Sequence, residues 1–168
     1  MNPEDVKALV AQVVREVITR SEAGRKIALG SDHGGFELKT RLVGFLQGLG
    51  YQVLDLGTHS KEACDYPDFA RAVAQAVASG NCHAGIMIDG AGIGSSMVCN
   101  KVKGVRAALC YDLKTILNSR QHNDANVLTL GASANPPEMV EEMVRTWLST
   151  PFEGGRHQRR VDKIEPGA

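Results

Sequence analysis

The sequence predicts an α/β domain built on a five-stranded parallel sheet flanked by helices. Three observations carry this. Apolar strand-like runs alternate with helix-like segments from residue 26 onward. The connections are short, and parallel strands need a helix to cross back over the sheet. The run Ile86-Met87-Ile88-Asp89 opens through Gly90, Gly92 and Gly94 into a helix-like segment, a turn usual at the carboxyl end of a parallel strand.

Each element has its own signal. Lys26–Gly30 reads as the first strand and Phe36–Leu49 as a helix closed by Gly50. Tyr51–Leu56 is a second strand, followed by a polar loop over 58–66. Pro67–Ala78 is a helix ended by Ser79-Gly80. Ala84–Ile88 is the third strand, and Gly94–Lys101 begins the next helix. Val105–Cys110 is a fourth strand and Leu113–Gln121 a helix. Asn126–Leu130 is the fifth strand, and Pro137–Leu148 a helix that Pro136 and Pro137 start. The tail from Pro151 is rich in glycine and arginine.

Residues 1–20 stand apart. Val6, Leu9, Val10, Val13, Val14, Val17 and Ile18 recur at helical spacing, with charged residues off the stripe. Asn2 is placed to cap this helix, with Pro3 at its first position. A polar break over residues 21–25 separates it from a domain spanning 26–168.

Bulk properties narrow the function classes. The formal net charge is zero, which argues against nucleic acid or an anionic membrane as partner. No apolar run approaches the roughly 18 residues of a membrane span. The charged N-terminus lacks a basic-then-apolar leader, so a cytosolic protein is expected. Cys64, Cys82, Cys99 and Cys110 form no CxxC pair and read as reduced thiols. Cys82-His83 lacks a partner pair at ligand spacing, so zinc is not expected there.

Four clusters carry chemistry. Ser31-Asp32-His33-Gly34-Gly35 puts an acid and an imidazole at the end of the first strand; as a plain structural feature, Asp32 would cap a turn. The Asp89 loop sets a carboxylate beside backbone N–H groups at a helix N-terminus, a natural anion hole. Arg120-Gln121-His122-Asn123-Asp124-Ala125-Asn126 surrounds an imidazole with groups able to set its tautomer. In the tail, Arg156 and Arg160 are four apart and would share one helical face as an oxyanion clamp. A nucleotide-binding module is disfavoured: the first strand–helix turn reads SDHGG, not GxGxxG, and no Walker lysine follows the second glycine loop.

Taken together, IALGSDHGGFELK, VLDLGTHS, DYPDFA, DGAGIGSSM, NKVKGVRAALCYD, SRQHNDANVLTLGA and EGGRHQRRV resemble the ribose-5-phosphate isomerase B and galactose-6-phosphate isomerase family. The resemblance runs from Lys26 to about Ile164, in order. It implies a Rossmann-like three-layer sandwich and a homodimer, or dimer of dimers, with active sites at subunit interfaces. It also implies reversible aldose–ketose isomerisation of a sugar phosphate without metal or cofactor. Carried over residue by residue, Asp32 and His122 would assist ring opening, His122 coming from the neighbouring subunit. His33, Arg156 and Arg160 would hold the phosphate, and Tyr66 and Asn123 would line the sugar site. The loop of Gly90, Gly92, Gly94 and Ser95 would stabilise the enediolate oxygen.

The chain departs from that family at three places. Asp89 stands where a cysteine base is usual, and Ser95 where another branch has a glutamate base. Ala91 replaces a usual hydroxyl, and Ser133 a usual phosphate-binding arginine. Asp89 is therefore the expected proton-transfer base, with a catalytically silent or heteromeric sugar-phosphate-binding subunit as the alternative. The segment 1–20 lies outside the resemblance. It is either an extra helix packed on the domain or its dimer, or a docking helix similar to the encapsulation peptides of bacterial microcompartments.

Overall fold

The computed structural model describes residues 2, 4–10, 12–13 and 24–165. Its centre is an all-parallel five-stranded sheet in the order β2-β1-β3-β5-β4. The strands are β1 (Lys26–Ser31), β2 (Gln52–Asp55), β3 (Ala84–Asp89), β4 (Ala107–Leu109) and β5 (Val127–Gly131). The helices of the domain are α1 (Phe36–Gly48), α2 (Tyr66–Ala78), α3 (Ile93–Cys99), α4 (Leu113–Gln121), α5 (Pro137–Ser149) and the single turn α6 (Gln158–Val161). The expected alternation holds at every step. The fourth strand is shorter than expected, because Val105 and Cys110 lie outside the ladder that joins Ala107–Leu109 to β5.

Side-chain alternation along each strand builds two unequal cores. Ile27, Leu29, Ile86, Ile88, Leu128 and Leu130 face α1, α4 and α5, where Leu42, Ile116 and Trp147 meet them. Ala28, Met87 and Val127 face the other way, onto Ala70, Val73 and Val77 of α2 and Cys99 of α3. The second core is thinner for a definite reason. A Cβ at Gly30 or Gly85 would lie 2.7 Å from a methyl of Val73, so these glycines let α2 press onto the sheet.

One buried charge is held by an ion pair. Lys39 of α1 is 2% exposed, and its Nζ donates to Asp55 Oδ1 at 2.6 Å. Asp55 in turn accepts from Gly57 N at 3.0 Å, tying the end of β2 to the loop that follows.

At the N-terminus, residues 4–10 and 12–13 are helical. Asn2 caps this segment as expected: its Oδ1 accepts from Glu4 N at 2.9 Å and from Asp5 N at 2.8 Å. Val6, Leu9, Val10 and Val13 are exposed. The rest of the expected 1–20 helix and linker positions 21–23 lie outside the described residues. No helix among the described residues is long and apolar enough to cross a membrane.

Candidate active site

The strand order reverses between β1 and β3, which opens a crevice at their carboxyl ends. Eight of the sequence-predicted positions converge there: Asp32, His33, Tyr66, Asp89, Gly90, Gly92, Gly94 and Ser95. Asp32 is buried at the end of β1; its N–H donates to Ile88 O at 3.1 Å, and Oδ1 accepts from Gly35 N at 3.1 Å. Its carboxylate thus caps the turn, as the plainer reading of Asp32 expected. His33 is exposed, with Nδ1 3.2 Å from both the N and the O of Cys64. Tyr66, at the start of α2, lies against Gly94, where a Cβ would sit 2.5 Å from the ring carbon Cζ.

Asp89 departs most from expectation. It is 5% exposed and turns inward, away from the rim. Oδ1 accepts from Ala91 N at 2.8 Å and from Gly92 N. Oδ2 accepts from Ser95 N at 3.1 Å and from Ser95 Oγ. A carboxylate has about four acceptor positions, and here four donors fill them. The N–H groups of Gly92 and Ser95, expected to face a substrate oxyanion, are therefore turned onto Asp89 in this state. Tyr111, which the sequence did not single out, and Ser133 hold the loop from behind. Tyr111 Oη donates to Ala91 O at 2.9 Å, and Ser133 Oγ donates to Gly90 O at 3.0 Å. Ser133 thus pins a peptide plane at the position where arginine is usual. Gly90 itself is exposed, on the crevice side of the loop.

The remaining predicted residues lie elsewhere. The helix α4 starts beyond the carboxyl end of β4 and ends before the amino end of β5. His122 and Asn123 therefore sit at the amino ends of the strands, opposite Asp32 and Asp89 at the carboxyl ends. Their turn is clamped: Asp124 accepts from Arg120 Nη1 and from Arg106 Nη2, each at 3.1 Å. The tail comes to the same place. The His122 and His157 rings stack at 4.1 Å with planes 5° apart. Glu153 Oε2 lies 3.6 Å from His122 Nε2 and 3.8 Å from His157 Nε2. Arg156 and Arg160 are exposed beside this stack. They do not share a helical face as expected, because α6 begins only at Gln158 and Arg156 lies in the preceding turn. Arg156 Nε instead donates to His157 Nε2 at 3.3 Å. Burial, then the neighbouring His122 and Arg156, pushes His157 below the ordinary histidine range. His157 and Glu153 were legible only as part of the tail motif, with no separate signal for their roles.

His122, Glu153 and His157 bring three ligand-type atoms within 4.8 Å of one another. The ring planes are nearly parallel and stacked, so their in-plane lone pairs lie in separate planes and do not converge on one point. A metal would require one ring to turn out of the stack. The buried cysteines offer no substitute thiolate. Cys99 is pushed up to about 12 by burial and by the nearby Asp89 charge. Burial also raises Cys82 and Cys110.

Comparison with known proteins agrees with this fold. The profile of the Ribose/Galactose Isomerase family matches residues 27–164. The chain belongs to that family. It is an isomerase. Ribose-5-phosphate isomerase B of Escherichia coli is 46% identical over 140 residues, covering 83% of this chain and 94% of the relative. The solved ribose-5-phosphate isomerase B of Clostridium thermocellum superposes with a TM-score of 0.82 at 50% identity, over 83% of this chain and 95% of that one. The type B ribose 5-phosphate isomerase of Trypanosoma brucei gives 0.83 at 42% identity, over 86% and 99%.

Proposed function

We propose that this isomerase interconverts a phosphorylated aldose and ketose through a cis-enediolate, with ribose 5-phosphate and ribulose 5-phosphate as the first pair to test. The observation that carries the reading is the crevice between β1 and β3, where Asp32, His33, Tyr66 and the Asp89 loop converge. Asp89 takes the proton from C2 of the open-chain aldose. The C–H electrons form the C1–C2 double bond, and the carbonyl π electrons move onto O1. A proton then passes from O2 to O1, and Asp89 returns its proton to C1. To act, Asp89 must exchange at least one of its four hydrogen bonds for the substrate. The donors it vacates then face the oxygen on which charge develops, where one fixed donor is worth about 10²- to 10³-fold.

His122, Arg156 and Arg160 lie at the opposite end of the strands in the same protomer, so a complete site needs them from a second copy. We assign His122 and Asp32 to ring opening, and His33 with the two arginines to the phosphate. The sugar-site roles of Tyr66 and Asn123 follow the same assignment. The surface supports a homodimer, or a dimer of dimers. The unpaired edge of β4 borders a groove of about 680 Å³ lined by Arg106, Asp112, Lys114, Asn118, Asn123 and Ile164. Ile93, Met97, Tyr111, Leu113 and Leu117 are also exposed.

The filled valences of Asp89 favour one second reading: a silent or heteromeric sugar-phosphate-binding subunit. Isomerisation of ribose 5-phosphate by the purified chain, beside Asp89→Asn, separates the two. Turnover that falls about 10²-fold or more in the variant supports the base assignment. Substrate binding without turnover by the parent supports the second reading.

For the N-terminal segment we propose a docking helix that directs an otherwise cytoplasmic enzyme to a microcompartment shell. Its exposed valine and leucine stripe supports this over packing on its own domain. Deletion of residues 1–22 is expected to abolish co-sedimentation with shell proteins. Unchanged partition would refute it.

A further inference from the structure

The orientation of one imidazole can be traced back to an unambiguous group. The backbone carbonyl of Asn118 can only accept hydrogen bonds. Asn123 Nδ2 lies 3.1 Å from it, so Asn123 must turn its NH₂ that way. The same NH₂ lies 3.0 Å from the Asn118 side-chain amide, which must therefore present its oxygen, Oδ1, to Asn123. That leaves the Asn118 NH₂ on the other side, where it lies 2.9 Å from His122 Nδ1. An amide NH₂ donates and never accepts, so Nδ1 is the accepting nitrogen. In the neutral ring the proton then resides on Nε2.

We propose that Asn118, oriented by Asn123, is a positioning residue that fixes His122 as the Nε2–H tautomer. Nε2 becomes the donor end of the imidazole. It faces the Glu153 carboxylate at 3.6 Å in the free protomer, the position from which a sugar ring oxygen would draw its proton. Asn123 thereby gains a task besides lining the sugar site. The consequence for turnover rests on the reading of His122 as the ring-opening group; the tautomer assignment does not. The same logic gives His157 the opposite tautomer, since the Arg156 guanidinium can only donate and His157 Nε2 must accept. The stacked pair presents one donor and one acceptor toward a shared carboxylate.

The test uses the full-length ¹⁵N-labelled protein at about pH 8, above the ordinary imidazole range. Long-range ¹H–¹⁵N spectra distinguish protonated from bare ring nitrogens, and His122→Gln identifies the signals. The parent is expected to show His122 protonated at Nε2 and bare at Nδ1. In Asn118→Asp the carboxylate can only accept, so the proton should move to Nδ1. Asn118→Leu removes the donor without adding charge and should give averaged signals. Asn118 is exposed, so both variants are expected to fold. Turnover on the cyclic sugar phosphate should fall at least about 10-fold in Asn118→Asp, within the range of a lost general acid. A parent ring carrying its proton on Nδ1, or a tautomer that neither variant moves, overturns the proposal. A tautomer that moves while turnover holds, with His122→Gln also active, supports the assignment of Asn118 and overturns instead the catalytic reading of His122.

Discussion

The two halves of the candidate site differ in what they are made of. The half at the ends of β1 and β3 is backbone-built. Its carboxylates are spent on main-chain donors: Asp32 on Gly35, and Asp89 on Ala91, Gly92 and Ser95. The half around His122 is side-chain-built. An amide pair holds one ring, the other ring stacks on it, and two arginines stand exposed. Backbone donors hold a charge in place at the cost of its freedom. Exposed side chains stay free to meet a ligand but need a partner to define where that ligand sits. Each half supplies what the other lacks.

The largest expected effect tests whether the halves meet across copies. Asp89→Asn and His122→Gln should each be nearly inactive alone. Mixed after reversible dissociation, half of the dimers would be heterodimers, each with one intact site. Activity should then return to roughly a quarter of the parent level. No recovery would mean that one protomer carries the whole site. Next comes the ion pair that holds the loop beside the backbone-built half. Asp55→Asn strands a buried lysine and should lower stability by about 3 kcal/mol. Lys39→Met/Asp55→Asn should recover most of that loss in chemical denaturation. A more local probe is Gly94→Ala, whose Cβ must displace the Tyr66 ring. KM is expected to rise several-fold with a small change in thermal midpoint, whereas an unmoved KM would remove Tyr66 from the site.

The smallest effect distinguishes the side-chain half by pH. His157 is held below its ordinary value, so below about 6.5 the unfolded chain binds a proton that the folded one refuses. Its contribution to stability is complete above that pH. It is lost as pH falls toward the folded-state value. His157→Gln should flatten that part of the stability–pH curve.

The sequence carried the fold because its signals are local. Alternating apolar runs, Gly50 after α1 and Pro136-Pro137 before α5 each act within a few residues. Asn2 was legible as a cap for the same reason. The inward turn of Asp89 was not legible, because an aspartate before a glycine loop can point to the crevice or back to the helix, and only packing chooses. The arginine spacing misled because Gly154 and Gly155 adopt positive φ, which delays the helix until Gln158. Asn118 gave no signal of its own: an asparagine on an exposed helix face reads as solvent-facing until the turn at 122–124 folds back onto it.

The pair Gly30 and Gly85 has a further consequence. By letting α2 sink against the sheet they set the height of its first residue, Tyr66, and so the position of one wall of the crevice. The width of the opening is thus governed from beneath the helix, by the absence of two methyl groups that no substrate would touch. A single added carbon at either position would act as a shim, tilting the helix and retuning which sugars fit while every residue that meets the ligand stays the same.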